Sequence, residues 1–324
     1  MARKYIFYVL VGLSCSPLFS QNIDTRQANF IERLVASGKH DRGYIEGIVD
    51  QIEIQQSILD AISRPAERVL TWNDYRRIFV TEQRINEGVA FYNEHKDLLH
   101  SVSVTYGVPV EIILSILGVE TYFGNRMGNY RVIDALGTLA FAYPPRAEFF
   151  ASELEQYLDL LVNEGISYEE TLGSYAGAMG AGQFIPSSYN AYAVDGNGDG
   201  VRDLWNSWHD IFASIANYFV MNGWHSGGLI ASKLDRDLSL WSDREHTNTV
   251  NMNFTINNIR DLGYLTPVEY PNDLSLTLLI LDGPSGKEYW AGFQNFRSIT
   301  RYNISVLYGM AIYELSEIFK SKIY

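Results

Sequence analysis

The segment VPVEIILSILGVETYFGN, residues 108–125, constrains the chain more than any other. Apolar residues fill it with helical periodicity, and a carboxylate, Glu120, stands where the pattern asks for another apolar side chain. Ile113, Ile116 and Leu117 precede Glu120 by seven, four and three residues, spacings that share one helix face. A helix over 108–123 is expected, with Glu120 on its core-facing stripe. A charged, unpaired carboxylate there is costly, so burial would raise its pKa. The plainer alternative is a helix-end Glu turned to solvent, with Gly124 as the C-cap.

A chain of 324 residues with 47% apolar content can bury a large core, in one big domain or two. Residues 1–20 read as a secretory signal: Arg3 and Lys4, then an apolar stretch from Tyr5 to Leu13, then small residues. The apolar stretch is too short to span a membrane, and no later stretch approaches the ~18 apolar residues a span needs. Cys15 is the only cysteine, which excludes a disulfide framework or a cysteine metal site. Cleavage near Ser20 is favoured over lipidation at Cys15. Gly12, three residues before Cys15, stands where a lipoprotein signal usually has a larger aliphatic residue.

The net charge of −13 argues against binding nucleic-acid phosphates. Aromatics make up 14%, with 22 Tyr. Such rings are ordinary core material, and they also suit a cleft where they stack on pyranose faces. The six histidines show no ligand spacing.

Residues 24–106 read as helices. Ile45, Ile48, Ile52, Leu59 and Ile62 carry one helical rhythm, and Tyr75, Ile78, Glu82, Ile85, Val89 and Tyr92 a near-heptad. Further helices are expected over 146–163, 210–222 and 304–319. Leu274, Leu276, Leu278 and Ile280 alternate as in a strand, DGPSG at 282–286 is a turn, and 287–293 is the returning strand.

Two segments carry candidate chemistry. In DGNGDGVRD, Asp195, Asn197 and Asp199 occupy positions 1, 3 and 5 of an EF-hand pattern. Gly200 stands at the sharp turn, and the Val201 carbonyl is at position 7. Hard oxygens at this spacing suit Ca²⁺. Asn206 replaces the usual bidentate Glu, leaving Asp203 or Asp210 to supply the last carboxylate. An Asx- and Gly-rich turn without metal is the alternative. The second segment, SYAGAMGAGQFIPSS at 174–188, is dense in small residues. It suits either tight helix packing or a groove floor that exposes backbone groups and Gln183.

Together these pieces resemble the lytic murein transglycosylase B family, bacterial enzymes that cleave peptidoglycan. The resemblance rests on TWNDYRRIF (71–79), ILGVETYFGNRMG (116–128), DALGTLAF and YPPRAEFF (134–150) and the long SYAGAMGAGQFIPSSYNAYAVDGNGDGVRDLW (174–205). ANYFVMNGW (216–224) and RYNISVLYGMAIYEL (301–315) complete it. It implies a mainly α (α+β) fold with a lysozyme-like helical catalytic core. The expected division is a signal peptide at 1–20, an N-terminal helical region at 21–106 and the core with its EF-hand-like loop at 107–229. A small β-containing module at 230–297 and a C-terminal segment at 298–324 completing the core would follow.

By the same resemblance Glu120 is the catalytic acid and base. Ser174, Gln183, Phe184, Tyr218, Tyr302, Asn303, Tyr308 and Arg146 would contact substrate. Asp195, Asn197, Asp199, Val201 and Asp210 would hold a structural Ca²⁺, and no organic cofactor is expected. The implied activity cuts the MurNAc-β-1,4-GlcNAc bond without water, leaving 1,6-anhydroMurNAc ends. The expected partners are peptidoglycan glycan strands, with cell-wall synthesis or division proteins as candidates and no nucleic acid. A monomer in the periplasm of a Gram-negative bacterium is expected. The competing readings are a muramidase, which needs a second carboxylate such as Asp134 or Glu148 near Glu120, and a noncatalytic peptidoglycan-binding protein.

Overall fold

The computed structural model describes residues 17–64, 70–240 and 246–324. Cys15 and most of the expected signal segment lie outside the described residues. Five helices come first: α1 (Pro17–Ser37), α2 (Arg42–Val49), α3 (Gln56–Ile62), α4 (Trp72–Phe79) and α5 (Glu82–Tyr106). Three of them start on a capping side chain. Asp41 accepts from the Tyr44 N–H, Thr71 from Asp74 and Thr81 from Arg84.

Two expected continuous helices are broken, the first for a tertiary reason and the second at a local cap. The rhythm from Ile45 to Ile62 is split between α2 and α3 by a non-helical stretch at 52–55. There the Glu53 N–H donates to Asp134 and the Gln55 N–H to Thr138. Both acceptors lie on α7 (Val132–Ala142), so side chains of a distant helix replace the local ladder. The near-heptad from Tyr75 to Tyr92 breaks at Val80, where Thr81 caps a new helix.

The next helix, α6 (Val110–Glu120), is buried along its whole length from Val110 to Gly118. It therefore has no polar face, and the single apolar stripe read from its sequence is one side of a fully enclosed core helix. It also ends three residues earlier than expected. The Leu117 carbonyl accepts from both Thr121 and Phe123. Tyr122 and Phe123 both adopt left-handed backbone, φ 54° and 59°. Gly124 follows the turn; Thr121 is the residue that caps the helix.

A two-residue ladder, β1 (Tyr130–Arg131) with β2 (Leu172–Gly173), brackets α7 and α8 (Ala147–Asn163). Then come α9 (Pro186–Tyr192) and α10 (Trp208–Met221). The chain next forms β3 (Ala231–Arg236), β4 (Phe254–Thr255), α11 (Ile256–Asp261), β5 (Tyr264–Leu265), β6 (Ser275–Gly283) and β7 (Gly286–Gly292). These strands make an antiparallel sheet in the order β4-β6-β7-β3-β5. The expected hairpin is β6–β7, with Gly283 paired to Gly286.

Alternation on β6 serves two cores. Leu276 and Leu278 join Ile256, Ile259 and Tyr289 on one side. Leu279 and Leu281 join Trp72, Tyr75, Phe296 and Met310 on the other. The second cluster fastens the sheet to α4 and to α13 (Val306–Ile323), which follows α12 (Gln294–Tyr302) and returns along α6.

One buried acid is left incompletely paired. Glu111, in the first turn of α6, is 8% exposed, and its Oε2 has no hydrogen-bond partner among the described residues. Burial pushes its pKa up, its own backbone N–H and Lys320 oppose the rise, and Glu317 adds to it. Below the ordinary glutamate pKa, folded and unfolded chains both hold the proton. Between that value and the raised one only the folded chain keeps it. Stability therefore falls as pH rises through this window and stays reduced above it. Glu111→Gln should melt above the parent at pH 7, and the two should converge near pH ~4. Thermal melts at both values check this, and an equal or lower Tm for the variant at pH 7 refutes it.

Candidate active site

Glu120 is the last residue of α6 and is partly exposed, so the helix end delivers its carboxyl from the core to a cleft. The cleft has a volume of about 650 Å³. Its walls come from distant parts of the chain: Arg146 and Phe149 before and on α8, Ser174 to Ile185 from the small-residue segment, Tyr218 on α10, and Arg301 to Ile304 at the end of α12. Glu120 is the only carboxylate among the described residues that line it.

Seven of the eight residues expected at substrate line this cleft with Glu120: Arg146, Ser174, Gln183, Phe184, Tyr218, Tyr302 and Asn303. The eighth, Tyr308, stands behind the acid. It is 1% exposed, and its hydroxyl donates to Oε1 of Glu120 at 2.6 Å. Burial first, and then the nearby Glu120 charge, push the Tyr308 pKa well above the ordinary tyrosine value. The phenol thus stays protonated and remains a donor. Its ring is enclosed, so it orients the carboxyl and does not stack on a sugar.

The other aromatics form one packed group. Phe184 sits 5.8 Å from both Tyr218 and Tyr302, and those two rings are 4.7 Å apart. The Tyr302 hydroxyl donates to the Gly182 carbonyl at 2.6 Å, and Tyr218 donates to the Arg301 carbonyl at 2.6 Å. Burial, with Tyr192 adding, lifts the Tyr218 pKa to about 12. Both phenols are therefore tied to backbone, which fixes the wall they form.

The floor is made by the small-residue segment, for a reason visible at Gly180. A Cβ there would come within 2.3 Å of the Leu204 carbonyl, and the backbone is left-handed at φ +66°. Ser174 caps its own turn, accepting from Ala176 and Ala178. Gln183, also left-handed at φ 53°, donates its side-chain amide to the carbonyls of Met127 and Gly180. Arg146 stacks over Phe149 at 4.3 Å, and no carboxylate lies within 4 Å of it among the described residues.

Thr121, which the sequence reading passed over, is 1% exposed. It donates its hydroxyl to the Ala181 carbonyl and accepts from the Gly124 N–H. It ties the acid's helix end directly to the floor. The signal for it was local: a hydroxyl side chain immediately after the carboxylate.

Among the described residues, no second carboxylate of the kind a muramidase requires lines the cleft. Asp134 is bound by Arg131 and the Glu53 N–H, and the Glu148 side chain is 95% exposed beside Arg33.

In the loop after α9, the Asp195 carboxylate accepts the N–H groups of Gly198, Asp199 and Gly200, which hold its pKa below the usual value. Asn197 donates to Asp199, and the Val201 N–H donates to Asp199. These are hard oxygen donors by type, and here they accept N–H groups of the loop itself. Asp210 is used differently. It is fully buried, and its two oxygens accept the N–H groups of Gly196 and Asp203, closing the loop's ends onto α10. Asp203 accepts from Trp205 and Asn206. No group of three or more His, Cys, Asp or Glu among the described residues is assembled around a common point.

Residues 22–317 match the Transglycosylase SLT domain family. The chain belongs to this family. It is 37% identical over 308 residues to the membrane-bound lytic murein transglycosylase B of Escherichia coli K12, covering 92% of this chain and 83% of that protein. The soluble lytic transglycosylase SltB1 of Pseudomonas aeruginosa superposes with a TM-score of 0.85 at 41% identity, covering 92% of this chain and 99% of that one. The Escherichia coli lytic transglycosylase Slt35, solved in complex with calcium, gives 0.82 at 36% identity, with 92% and 93% covered. Pseudomonas aeruginosa SltB3, solved in complex with NAG-anhNAM-pentapeptide, gives 0.79 at 28% identity, with 93% and 80% covered. The mainly helical, lysozyme-like fold with a small sheet is that of these transglycosylases.

The Tyr308 contact generates a test. Tyr308→Phe keeps the buried ring and removes the hydroxyl that donates to Oε1 of Glu120. Its kcat should fall about tenfold or more, the scale of a hydrogen bond to a charged group, with KM near the parent's. Steady-state kinetics on isolated cell-wall glycan decide it. A loss confined to KM would return Tyr308 to a substrate-binding role.

Proposed function

We propose that this lytic transglycosylase cuts the MurNAc-β-1,4-GlcNAc bond of peptidoglycan with Glu120 as its single acid and base. The observation that carries the proposal is that one carboxylate among the described residues lines a cleft of about 650 Å³, held by a buried tyrosine. Most glycosidases pair two carboxylates, one acting as nucleophile or as base for water. A transglycosylase needs only one, because the C6 hydroxyl of the muramyl residue replaces the water.

Glu120 first donates its proton to the glycosidic oxygen as the bond to C1 breaks. The substrate's own 2-acetamido group shields the developing cation. Glu120, now a carboxylate, then takes the proton from the C6 hydroxyl as that oxygen bonds to C1. The proton lost in the first step is regained in the second, and the product end is 1,6-anhydro. The Tyr308 hydroxyl supports the carboxylate between the two steps. Tyr302 offers ring surface to the sugars, backed by the buried rings of Phe184 and Tyr218, and Ser174, Gln183 and Asn303 offer polar groups. Arg146 is suited to a stem-peptide carboxylate. Residues 107–229 with 298–324 would form the catalytic core, 21–106 and 230–297 its flanking modules. Work on peptidoglycan implies a periplasmic site.

Glu120→Gln should lose at least ~10²-fold in turnover while keeping fold and glycan binding. Mass spectrometry of parent digests should find anhydro ends. Reducing ends would identify a hydrolase instead, and near-normal turnover by the variant would remove Glu120 from the chemistry.

The loop of Asp195, Asn197, Asp199 and the Val201 carbonyl is proposed to hold Ca²⁺ as a structural ion. A calcium complex of Slt35 supports the reading. Binding to the folded state alone stabilises by about 2.7 kcal/mol at a ligand concentration 100 times Kd. Ca²⁺ should therefore raise Tm, and Asp195→Ala should abolish the rise. A melting curve indifferent to both Ca²⁺ and EGTA eliminates the site.

A further inference from the structure

The chain turns sharply just after the acid, and part of what holds that turn comes from the N-terminal region. Tyr122 and Phe123 both sit in left-handed backbone, which neither a tyrosine nor a phenylalanine favours. Two consecutive residues of this kind persist only where surrounding groups over-determine them. Phe123 is fixed by packing: its ring lies 5.4 Å from Phe91 and 6.4 Å from Phe319. Tyr122 is fixed by charge, with the Arg84 guanidinium 4.9 Å and the Arg126 guanidinium 4.7 Å from its ring centre.

Arg84 does more than cover that ring. It is 7% exposed, and no carboxylate lies within 4 Å of it among the described residues. Burial lowers its pKa, so the fold holds this cation at a cost. Its partners are three carbonyls. Nε donates to Gly118 at 2.9 Å, and Nη1 donates to Ile78 at 2.7 Å and Phe79 at 2.5 Å. Those carbonyls belong to the last turns of α4 and α6, the negative ends of two helix dipoles. Gly118 is two residues before Glu120. One planar fork thus joins the end of α4, the start of α5 and the end of α6 that bears the acid. A point charge cannot reproduce that geometry.

We infer that Arg84 is a positioning residue for Glu120: it locks the end of α6 so that the carboxyl stays at the Tyr308 hydroxyl and faces the cleft. Arg84 does not line the cleft, so its effect runs through the helix end and not through substrate contact. The inference rests on Glu120 as the acid.

Arg84→Met keeps the apolar stem and removes the fork, and Arg84→Lys keeps the charge alone. Each is compared with the parent and with Ile259→Ala, a fully buried site in the core of the sheet, at a temperature where melts show all four folded. Arg84→Met should lose about 10- to 100-fold in kcat, the scale expected when a catalytic group moves by about an ångström, with KM within about twofold of the parent. Arg84→Lys should recover part of the loss. Ile259→Ala should lose Tm with kcat unchanged. If Arg84→Met does not fold, Tyr122→Ala, which removes the ring under the guanidinium, should show the same selective loss of kcat. Parent-like kcat in whichever of these two variants folds overturns the inference, and so does a loss matched by Ile259→Ala. If Glu120→Gln is inactive and Arg84→Met is normal, only this inference fails. If Glu120→Gln is active, the assignment of the acid fails first.

Discussion

The hydrogen bond from Tyr308 to Glu120 joins residues 188 positions apart, and the rest of the chain is arranged to make it. An acid at the end of a buried helix needs one fixed neighbour that cannot itself take the proton. A buried phenol meets that need, because burial and the adjacent carboxylate push its pKa well above the ordinary value. To place it, α13 must run along α6 after an excursion of the chain through five strands. The excursion is anchored at both ends of its return. Leu279 and Leu281 pack with Trp72, Tyr75 and Met310, so the sheet is set against α4 and α13 together. Trp72 and Tyr75 belong to α4, whose last carbonyls Arg84 also grips. The same short helix therefore seats the sheet and the acid's helix.

A second constraint runs from the floor of the cleft. Thr121 binds the Ala181 carbonyl, and the Ala181 N–H binds the Leu204 carbonyl. Leu204 follows the loop that Asp210 closes through Gly196 and Asp203. These contacts form a continuous path of short bonds from the loop to the residue beside Glu120. It requires close backbone approach, which is why the floor is built from residues as small as Gly180 and Ala181. The loop and the acid's helix end are thereby joined through backbone, and the proposed ion would need no direct part in bond breaking to support the site.

What could be read from the sequence follows from how far each interaction reaches. Glu120, the floor from Ser174 to Gln183 and the Asp195 loop are dense local patterns, and each was legible as a short motif. The hairpin of β6 and β7 was legible from alternation, although burial on both faces of β6 was not. The role of Tyr308 was not legible, because nothing near it in sequence shows that its partner is a carboxylate 188 residues earlier. The break at 52–55 was hidden for a related reason: its cause is Asp134 and Thr138, and apolar periodicity continues through the gap. Arg84 carries no sequence signal, since its partners are backbone carbonyls. Asp210 was placed among metal ligands by the family resemblance, whereas its hydrogen bonds are those of a clasp between two backbone segments.

Charge gives the cleft a character opposite to that of the chain. The net charge is −13, so most of the surface repels an anionic polymer. At physiological ionic strength an exposed charge is felt over only about 8 Å, and what a bound strand meets is the local balance. In the cleft that balance is Arg146 and Arg301 against Glu120. Arg146 is held flat on Phe149, and no carboxylate lies within 4 Å of it among the described residues, so its charge is available. A glycan whose stem peptides carry carboxylates would be favoured at this place and disfavoured elsewhere on the protein. Such a discrimination would cost no contact energy at the scissile bond, and in the proposed function it would set where along the groove the peptides lie. In this way an acidic chain with a locally basic groove would suit the proposed chemistry.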